Sequence, residues 1–370
     1  MQNARACSIV AGVHVAIVVA TGCARKGPNP EPSPKGAARS PQQTARPETS
    51  HFLDDARRPL PEYEWIWKRL GETYGETMPE PVVVNFDDGD GGYFDPTGNE
   101  VHLSKALFAK GPALLLAHET SHLCLAVLTH GASAEEAFRF LDEGFAEIVS
   151  HQIAGGLDEY KQGQALPEAR IQQSKGNVTF EKVQAWSSYF GNWRGAPVRA
   201  NGSSYAHAVG ASFDFMVMDR YGQATLLELF RSVGRTRSLE ESTEAVLHKS
   251  LTELQEEWLA YLAAVPLPVA PRITGFFPEA GATAVPTELS ELRVVFDVPM
   301  TERIAISSSC EPDVSYRNAY WKDPRTLAIR LPDGLRPGRS CHLRLGAEHF
   351  RFQSRSGAEM PVVDWTFATR

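Results

Sequence analysis

The sequence predicts an α+β protein, in which a small antiparallel sheet and a mostly helical lobe are followed by an all-β domain. Three observations predict this class. Strand and turn signals alternate over residues 81–103, apolar residues recur at helical spacing from 111 to about 264, and short apolar alternations return after a proline-rich stretch at 265–271. A chain of 370 residues is long enough for two domains of this kind.

The first 22 residues have the pattern of a signal peptide. Arg5 supplies a positive charge, and an apolar stretch that is too short to span a bilayer follows over residues 7–20. Small residues then precede Cys23, and this run from Ala20 resembles the lipobox of bacterial lipoproteins. The resemblance implies that Cys23 begins the mature chain and carries a lipid anchor. The alternative is ordinary cleavage near Ala20, which would release a secreted protein.

The segment after this cysteine is expected to be an extended tether, residues 23–52. Residues 24–50 contain no aromatic residue and no Leu, Ile, Val or Met, and they are rich in Pro, Ser, Gly and Ala. Such a composition cannot bury enough apolar surface to fold. We therefore expect the folded part to stand in the bacterial cell envelope, facing the periplasm or the cell exterior, with the lipid as its contact with the membrane.

Charge and absent motifs exclude several classes of protein. The chain has 37 Lys and Arg against 45 Asp and Glu, a net charge of −8, so it lacks the basic excess of a nucleic-acid-binding protein. The one apolar run that looks like a membrane signal stands at the N-terminus, which excludes a polytopic membrane protein. The sequence also lacks the GxSxG motif of a serine hydrolase.

The first folded domain is predicted over residues 53–264. It begins with a helix at 61–76, a strand at 81–86 and a β-hairpin at 93–103. The acidic, glycine-rich turn at 87–92 invites a calcium-loop interpretation, but a glycine stands where that loop needs a ligand. We therefore expect a plain turn there, with calcium binding as the alternative.

Helices dominate the rest of this domain. Pro112 suits a first helical position, and Gly131 suits the end of the same helix. Further helices are expected at 133–153, 204–220, 224–232, 239–247 and 251–263. The stretch 155–203 is rich in Gly, Gln and Asn and is expected to hold short helices and a long loop. A linker at 265–271 then leads to the all-β domain, residues 272–370.

The helix after Pro112 contains residues with the chemistry of a metal site. Residues 114–128 are almost entirely apolar, yet they include the pattern HExxH from His118 to His122. Positions i and i+4 share one helical face, so two imidazoles can bind one Zn²⁺ ion, with Glu119 beside them to take a proton from the attacking water. The alternative is a buried helix whose histidines are hydrogen-bonded within the core.

A catalytic zinc ion needs a third protein ligand. Residues 141–146, LDEGFA, resemble the LxEGxA segment of gluzincin metallopeptidases, in which the glutamate before the glycine is that ligand. The resemblance implies that Glu143 is the third ligand and that Asp142 points elsewhere. Glu147, one turn later, is then either a hydrogen-bond acceptor that orients a ligating histidine or an exposed helix acid.

Residues 204–222 resemble the downstream helix of the same family, which ends in a similar RYG turn. A tyrosine early in that helix often donates a hydrogen bond to the oxyanion of the reaction, which implies this role for Tyr205, with His207 as the reserve. The alternative for Tyr205 is an aromatic residue at the start of the helix that packs on the core. The strand 99–103 resembles the edge strand along which these enzymes lay a peptide. The acidic motif that binds a substrate N-terminus has no clear counterpart in the sequence, so aminopeptidase specificity is not predicted.

Together these resemblances imply a zincin-like metallopeptidase domain that binds one Zn²⁺ ion and hydrolyses peptide bonds, with Glu119 as the general base. The substrate would be a peptide or a protein. The alternative is a catalytically inactive lipoprotein of the same fold, which binds or supports other components of the envelope. Retention of His118, Glu119, His122 and Glu143 favours the enzyme. The sequence leaves the substrate and the oligomeric state open.

The remaining cysteines have structural roles in this prediction. Cys124 follows the two histidines with its side chain directed away from them, so we expect a small buried hydrophobe rather than a fourth ligand. Cys310 and Cys341 both lie in the all-β domain of an exported protein and are expected to form a disulfide. That domain resembles bacterial Ig-like domains of the surface-layer type over 277–286 and 292–300, which implies a β-sandwich that serves as a spacer or adhesion module.

Overall fold

A computed structural model describes residues 50–75, 78, 81–88, 92–109, 111–191, 202–310, 314, 316–347 and 351–370. The predicted signal peptide, the lipidation site Cys23 and the tether as far as residue 49 lie outside these ranges. Within the described residues, no helix combines the length and the apolar character needed to cross a membrane. The protein is α+β, with a mixed N-terminal sheet, then a helical lobe, then antiparallel sheets.

The N-terminal sheet has four strands in the order β1-β2-β4-β3. The strands are β1 (Phe52–Asp54), β2 (Val82–Asp87), β3 (Gly92–Asp95) and β4 (Glu100–Ser104). The β1–β2 and β2–β4 pairs are parallel, and only the β3–β4 pair is antiparallel. The prediction of a small antiparallel sheet is therefore wrong. The reason is helix α1 (Glu64–Tyr74), which connects β1 to β2 and returns the chain to the same end of the sheet, as a parallel pair requires.

The β-hairpin predicted at 93–103 is confirmed, with Tyr93 opposite His102. Strand β3 ends the sheet, whereas β4 pairs with β2 on one side and with β3 on the other. The prediction that the strand 99–103 is an edge strand is therefore wrong. The side chains of Val101 and Leu103 are fully buried, as expected for a strand in the interior of a sheet.

The helical lobe follows the sheet. Its helices after α1 are α2 (Lys105–Phe108), α3 (Pro112–Leu128), α4 (Arg139–Ala154), α5 (Leu157–Tyr160), α6 (Leu166–Ser174), α7 (Phe180–Gln184), α8 (Trp186–Gly191), α9 (Gly202–Tyr221), α10 (Gln223–Thr236), α11 (Leu239–Leu247) and α12 (Leu251–Ala263). Helices α11 and α12 begin at the predicted residues because Ser238 and Ser250 cap them, each accepting a hydrogen bond from a backbone amide of the first turn.

Two glycines let α4 and α9 cross at close range. A Cβ atom at Gly144 of α4 would overlap the backbone of Gly210, and a Cβ atom at Gly210 of α9 would overlap the carbonyl oxygen of Phe140. The absence of both side chains brings the two helix backbones together. Glu143 precedes the first of these glycines and His207 stands one turn before the second, so the crossing places both residues at one point in the lobe.

The strands after residue 272 are β5 (Ile273–Phe277), β6 (Glu291–Phe296), β7 (Ile306–Ser308), β8 (Ala319–Asp323), β9 (Thr326–Arg330), β10 (Ser340–Leu345) and β11 (Val363–Ala368). They form two antiparallel sheets, β5-β6-β9-β8 and β11-β10-β7. Buried side chains of both sheets, such as Val294 and Trp365, belong to one hydrophobic core, and the helical lobe has a core of its own. The domain limits at 264 and 272 stay predictions.

The described cysteines lie where the sequence predicts. Cys310 and Cys341 form a disulfide in the C-terminal β region. Cys124 is a free thiol with no exposed surface, packed in the core of the helical lobe. Cys124 is therefore the small buried hydrophobe that was expected, rather than a ligand.

Candidate metal centre

The three predicted metal ligands converge where α3 and α4 cross. His118 and His122 stand on consecutive turns of α3, and Glu143 stands in α4. The two imidazole Nε2 atoms lie 3.2 Å apart, and Glu143 Oε2 lies 3.5 Å from the first and 3.4 Å from the second. Atoms held tetrahedrally at the zinc–ligand distances of about 2.0–2.1 Å are about 3.3–3.4 Å apart. The observed separations therefore fit a single ion bound by these three atoms.

The chemistry of these atoms also fits a cation. Glu143 Oε2 is buried and accepts no hydrogen bond from the described residues. His118, His122 and Glu143 are each at most 2% exposed. Lone pairs of two imidazoles and one carboxylate repel one another at this range unless a proton or a metal ion lies between them. Among the described residues, these three form a buried group whose ligand atoms lie within 4.8 Å of one another and could hold a metal ion.

Asp142 contacts the imidazole of His122 at Nδ1, the nitrogen that faces away from the metal group. Its Oδ2 atom lies 2.9 Å from His122 Nδ1, so the prediction that Asp142 points elsewhere is wrong. Asp142 and Glu143 are neighbours in α4, and both side chains contact His122 of α3. Burial lowers the pKa of His122, but the carboxylates of Asp142 and Glu143 outweigh burial and raise this pKa to about 10. The surroundings of His122 therefore stabilise a positive charge.

Glu147 lies among three imidazoles. Its Oε1 is 3.3 Å from His207 Nδ1 and 3.9 Å from His118 Nδ1, and its Oε2 is 3.6 Å from His151 Nε2. Burial raises the pKa of Glu147, but the hydrogen bond from His207 and the charges of the three surrounding histidines together outweigh burial and lower this pKa to about 2. Glu147 is buried, so the alternative of an exposed helix acid is wrong. Its role in orienting a ligating histidine stays a prediction.

Arg139, which was not among the predicted site residues, contacts two adjacent acids of α4, Asp142 and Glu143. Its Nη2 lies 2.7 Å from Glu143 Oε1, and its Nη1 lies 2.7 Å from Asp142 Oδ2. Burial raises the pKa of Glu143, but the Arg139 guanidinium and the neighbouring histidines together outweigh burial, and the pKa of this carboxyl lies well below its usual range. The spacing of 139, 142 and 143 is the i, i+3, i+4 pattern of contacting helix residues, so the sequence carried a signal for this group.

Glu119 lies against the edge strand β3. Its side chain is 1% exposed, and a Cβ atom at Gly92 would overlap its carboxylate. Among the described residues, its Oε1 atom has no hydrogen-bond partner. Burial raises the pKa of Glu119, which makes it a better acceptor for a proton. This environment suits the predicted role of general base.

His207 and Tyr205 stand two residues apart on α9, so their side chains leave the helix on different sides. His207 Nε2 lies 3.4 Å from Glu143 Oε2, which places His207 at the metal group. The ring of Tyr205 packs edge-on against Tyr189, with the ring centres 5.6 Å apart. His207, the second candidate for the oxyanion donor, therefore contacts the predicted metal ligand Glu143. The role of Tyr205 as that donor stays a prediction.

No protein-family model matches the sequence, and no curated protein matches it. Similar solved structures include CopC from Methylosinus trichosporium OB3b, with 19% identity over 27% of this chain and 92% of that one, at a TM-score of 0.21. They also include the surface layer protein SbsC, domains 1–6, with 12% identity over 69% of this chain and 33% of that one, at a TM-score of 0.19. The N-terminal part of SbsC is 13% identical over 72% of both chains, at a TM-score of 0.20. Similarities at this level assign neither fold nor function, so the function rests on the site itself.

Proposed function

We propose that this chain is an exported, zinc-dependent peptidase that hydrolyses peptide bonds. The observation that carries the proposal is the convergence of His118 Nε2, His122 Nε2 and Glu143 Oε2 within 3.2–3.5 Å of one another, with Glu119 on the same helix as both histidines. Two imidazoles and one carboxylate are the ligand set of several catalytic zinc sites, in which a fourth position stays open for water or substrate. A bound zinc ion would polarise the scissile carbonyl and lower the pKa of a water molecule.

Glu119 is the general base in this proposal. Its carboxylate is buried, its Oε1 is unpartnered among the described residues, and its raised pKa brings its proton affinity closer to that needed at neutral pH. Glu119 takes a proton from the attacking water and then passes it to the leaving amine. The carboxylate occupies the space that a side chain at Gly92 would need, and so it lies beside the strand at which we expect the substrate to bind.

A peptide is favoured as substrate because the edge of a β-sheet adjoins the site. Strand β3 ends the N-terminal sheet, and Gly92 at its start contacts the carboxylate of Glu119. An extended peptide can add to such an edge through backbone hydrogen bonds. Binding there would bring the peptide bonds of the substrate close to Glu119. In this proposal the strand that binds the substrate is β3, and not the strand 99–103 that the sequence predicted.

His207 is the preferred donor to the oxyanion, with Tyr205 as the alternative. The Nε2 atom of His207 lies 3.4 Å from Glu143 Oε2, and its Nδ1 lies 3.3 Å from Glu147 Oε1. Burial lowers the pKa of His207, but the carboxylates of Glu143 and Glu147 outweigh burial and raise it, which favours a ring protonated on both nitrogens. Such a ring can keep its contact with Glu147 and donate from Nε2 to a developing negative charge. Glu147 in this arrangement orients His207 and, at longer range, His118.

The finer fold and the location belong to the same proposal. We assign a zincin-like fold to the domain 53–264 and an Ig-like sandwich to 272–370, joined by the linker 265–271. The disulfide between Cys310 and Cys341 supports export, because such bonds form in oxidising compartments. Lipidation of Cys23 would then anchor the protein in the cell envelope.

The experiment compares the wild type with Glu119→Gln, using a fluorescently labelled unfolded protein and a peptide library as substrates. We expect hydrolysis to fall about 10²–10⁴-fold in the variant, because a general base contributes that much, while the bound zinc is retained. The matched control is Glu240→Gln, at an exposed position of α11. Equal hydrolysis by Glu119→Gln would refute the role of this residue. Zinc binding with no hydrolysis by the wild type would favour the alternative, an inactive binding protein of the envelope.

A further inference from the structure

We infer that Arg139 is a positioning residue that holds two of the three metal ligands, Glu143 directly and His122 through Asp142. This inference rests on the proposed metal centre and extends it, because Arg139 would touch neither the ion nor the substrate. The two terminal nitrogens of its guanidinium group contact different residues: Nη2 contacts Glu143, and Nη1 contacts Asp142.

The first of these nitrogens contacts one oxygen of Glu143. Arg139 Nη2 lies 2.7 Å from Oε1, whereas Oε2 faces the imidazoles of His118 and His122 at 3.5 and 3.4 Å. A carboxylate that is held by one oxygen presents only the other to an ion. Glu143 would therefore bind an ion through one oxygen, which would leave a position free for water or substrate, as catalysis requires.

The second nitrogen reaches His122 through a shared oxygen. Arg139 Nη1 lies 2.7 Å from Asp142 Oδ2, and the same Oδ2 atom lies 2.9 Å from His122 Nδ1. A carboxylate on the Nδ1 side of the imidazole favours a proton on Nδ1, which leaves the lone pair of Nε2 for a metal ion. Arg139 thus fixes the oxygen that orients this histidine. One side chain of α4 is coupled in this way to a ligand on its own helix and to a ligand on α3.

The ring of Phe94, in the edge strand β3, packs against both the Arg139 guanidinium and the His122 imidazole. The guanidinium carbon of Arg139 lies 5.0 Å from the centre of the Phe94 ring, and the same ring stacks on the imidazole of His122 at 4.8 Å. The side chain of Arg139 is only 17% exposed, so water screens its contacts weakly. The planar fork of arginine can bind two carboxylates at once, which the ammonium group of lysine cannot do with the same geometry.

Charge compensation alone is the competing role for Arg139, because Asp142 and Glu143 are two adjacent buried acids. Arg139→Lys separates the two roles, since lysine keeps the charge and loses the fork. The test titrates wild type and variant with Co²⁺ and records the affinity and the visible absorption spectrum. Four-coordinate Co²⁺ has intense visible bands, which weaken as the coordination number rises.

We expect Arg139→Lys to fold, to bind Co²⁺ about 10–100-fold more weakly, and to show weaker visible bands because Glu143 becomes free to bind through both oxygens. Arg139→Gln should show the same spectral change with a larger loss of affinity. The matched control is Arg303→Lys, a largely buried arginine of the C-terminal β region, which should leave affinity and spectrum unchanged.

An unchanged affinity and spectrum in Arg139→Lys would overturn the inference. A lower affinity with an unchanged spectrum would overturn it as well, since Arg139 would then supply charge and no positioning. If Arg139→Gln does not fold, the lysine variant decides the question. Failure of the wild type to bind Co²⁺ removes the metal centre and this inference with it, whereas normal binding by wild type and Arg139→Lys alike removes only the role of Arg139.

Discussion

Asp142 Oδ2 lies 2.9 Å from His122 Nδ1, and this contact joins α4 to the helix that carries both histidine ligands. Asp142→Asn keeps the size of the side chain and removes its charge. We expect this variant to bind Zn²⁺ about 10–100-fold more weakly, because the imidazole loses the carboxylate that fixes its orientation. The measurement is a competition titration with a zinc-binding dye. Asp158→Asn, at an exposed position of α5, should bind zinc like the wild type, and equal affinity in both variants would contradict the prediction.

The crossing of α4 and α9 is expected to tolerate no side chain at Gly144. A Cβ atom there would overlap the backbone of Gly210 and lie 2.6 Å from Asp214 Oδ2. We expect Gly144→Ala to lower the free energy of unfolding by about 1–3 kcal/mol or more, as overpacked cores do, measured by urea unfolding.

The control for this variant is Gly71→Ala in α1, where an added Cβ atom meets no other atom within 4 Å. An alanine at this helical position should raise the free energy of unfolding by about 0.5–1 kcal/mol. A wild-type stability for Gly144→Ala would show that the two helices lie farther apart than the structure has them.

Removal of the metal ion should destabilise the protein. A ligand that binds only the folded state at 100 times its Kd adds about 2.7 kcal/mol of stability, which corresponds to roughly 5–10 °C in Tm for a domain of this size. We therefore expect a chelator to lower the Tm of the wild type by that amount, recorded by differential scanning fluorimetry, and excess zinc to restore it. The same additions should leave His122→Ala unaffected. A wild-type Tm that does not respond to either addition would argue against a bound ion.

The Cys310–Cys341 disulfide closes a loop with a sequence separation of 31 residues. In the chain-entropy model such a loop contributes about 3–4 kcal/mol. We expect a reducing agent to lower the unfolding midpoint of the wild type and to have no effect on the double variant Cys310→Ala/Cys341→Ala. Cys124→Ala keeps the disulfide and should respond to the reductant like the wild type. Two free thiols in the untreated protein would disprove the bond.

The sequence predicted the features that depend on local patterns. The HExxH pair lies on one face of α3, and α11 and α12 begin at the predicted residues, because helix periodicity and capping act over a few residues. The pairing of Cys310 with Cys341 also followed from few choices, since these are the two cysteines of the C-terminal region.

Features that depend on contacts between distant segments were not predictable in the same way. The contact of Asp142 with His122 exists because α4 crosses α3 closely, and the spacing of residues along one helix does not reveal this. The place of β4 inside the sheet depends on its parallel pairing with β2, which a hairpin signal between β3 and β4 does not encode. His207 contacts Glu143 because α9 packs on α4 with the side of the helix that carries His207, and the spacing of residues along α9 does not reveal this side.

The metal content of the purified protein shows most directly whether His118, His122 and Glu143 together hold one metal ion. Wild type and the single variants His118→Ala, His122→Ala and Glu143→Ala are incubated with zinc, desalted and measured by elemental analysis, with circular dichroism to verify folding. We expect one zinc ion per chain in the wild type and in Glu119→Gln, and close to none in the three ligand variants. A wild type without zinc, or folded ligand variants that keep a full equivalent, would contradict the account.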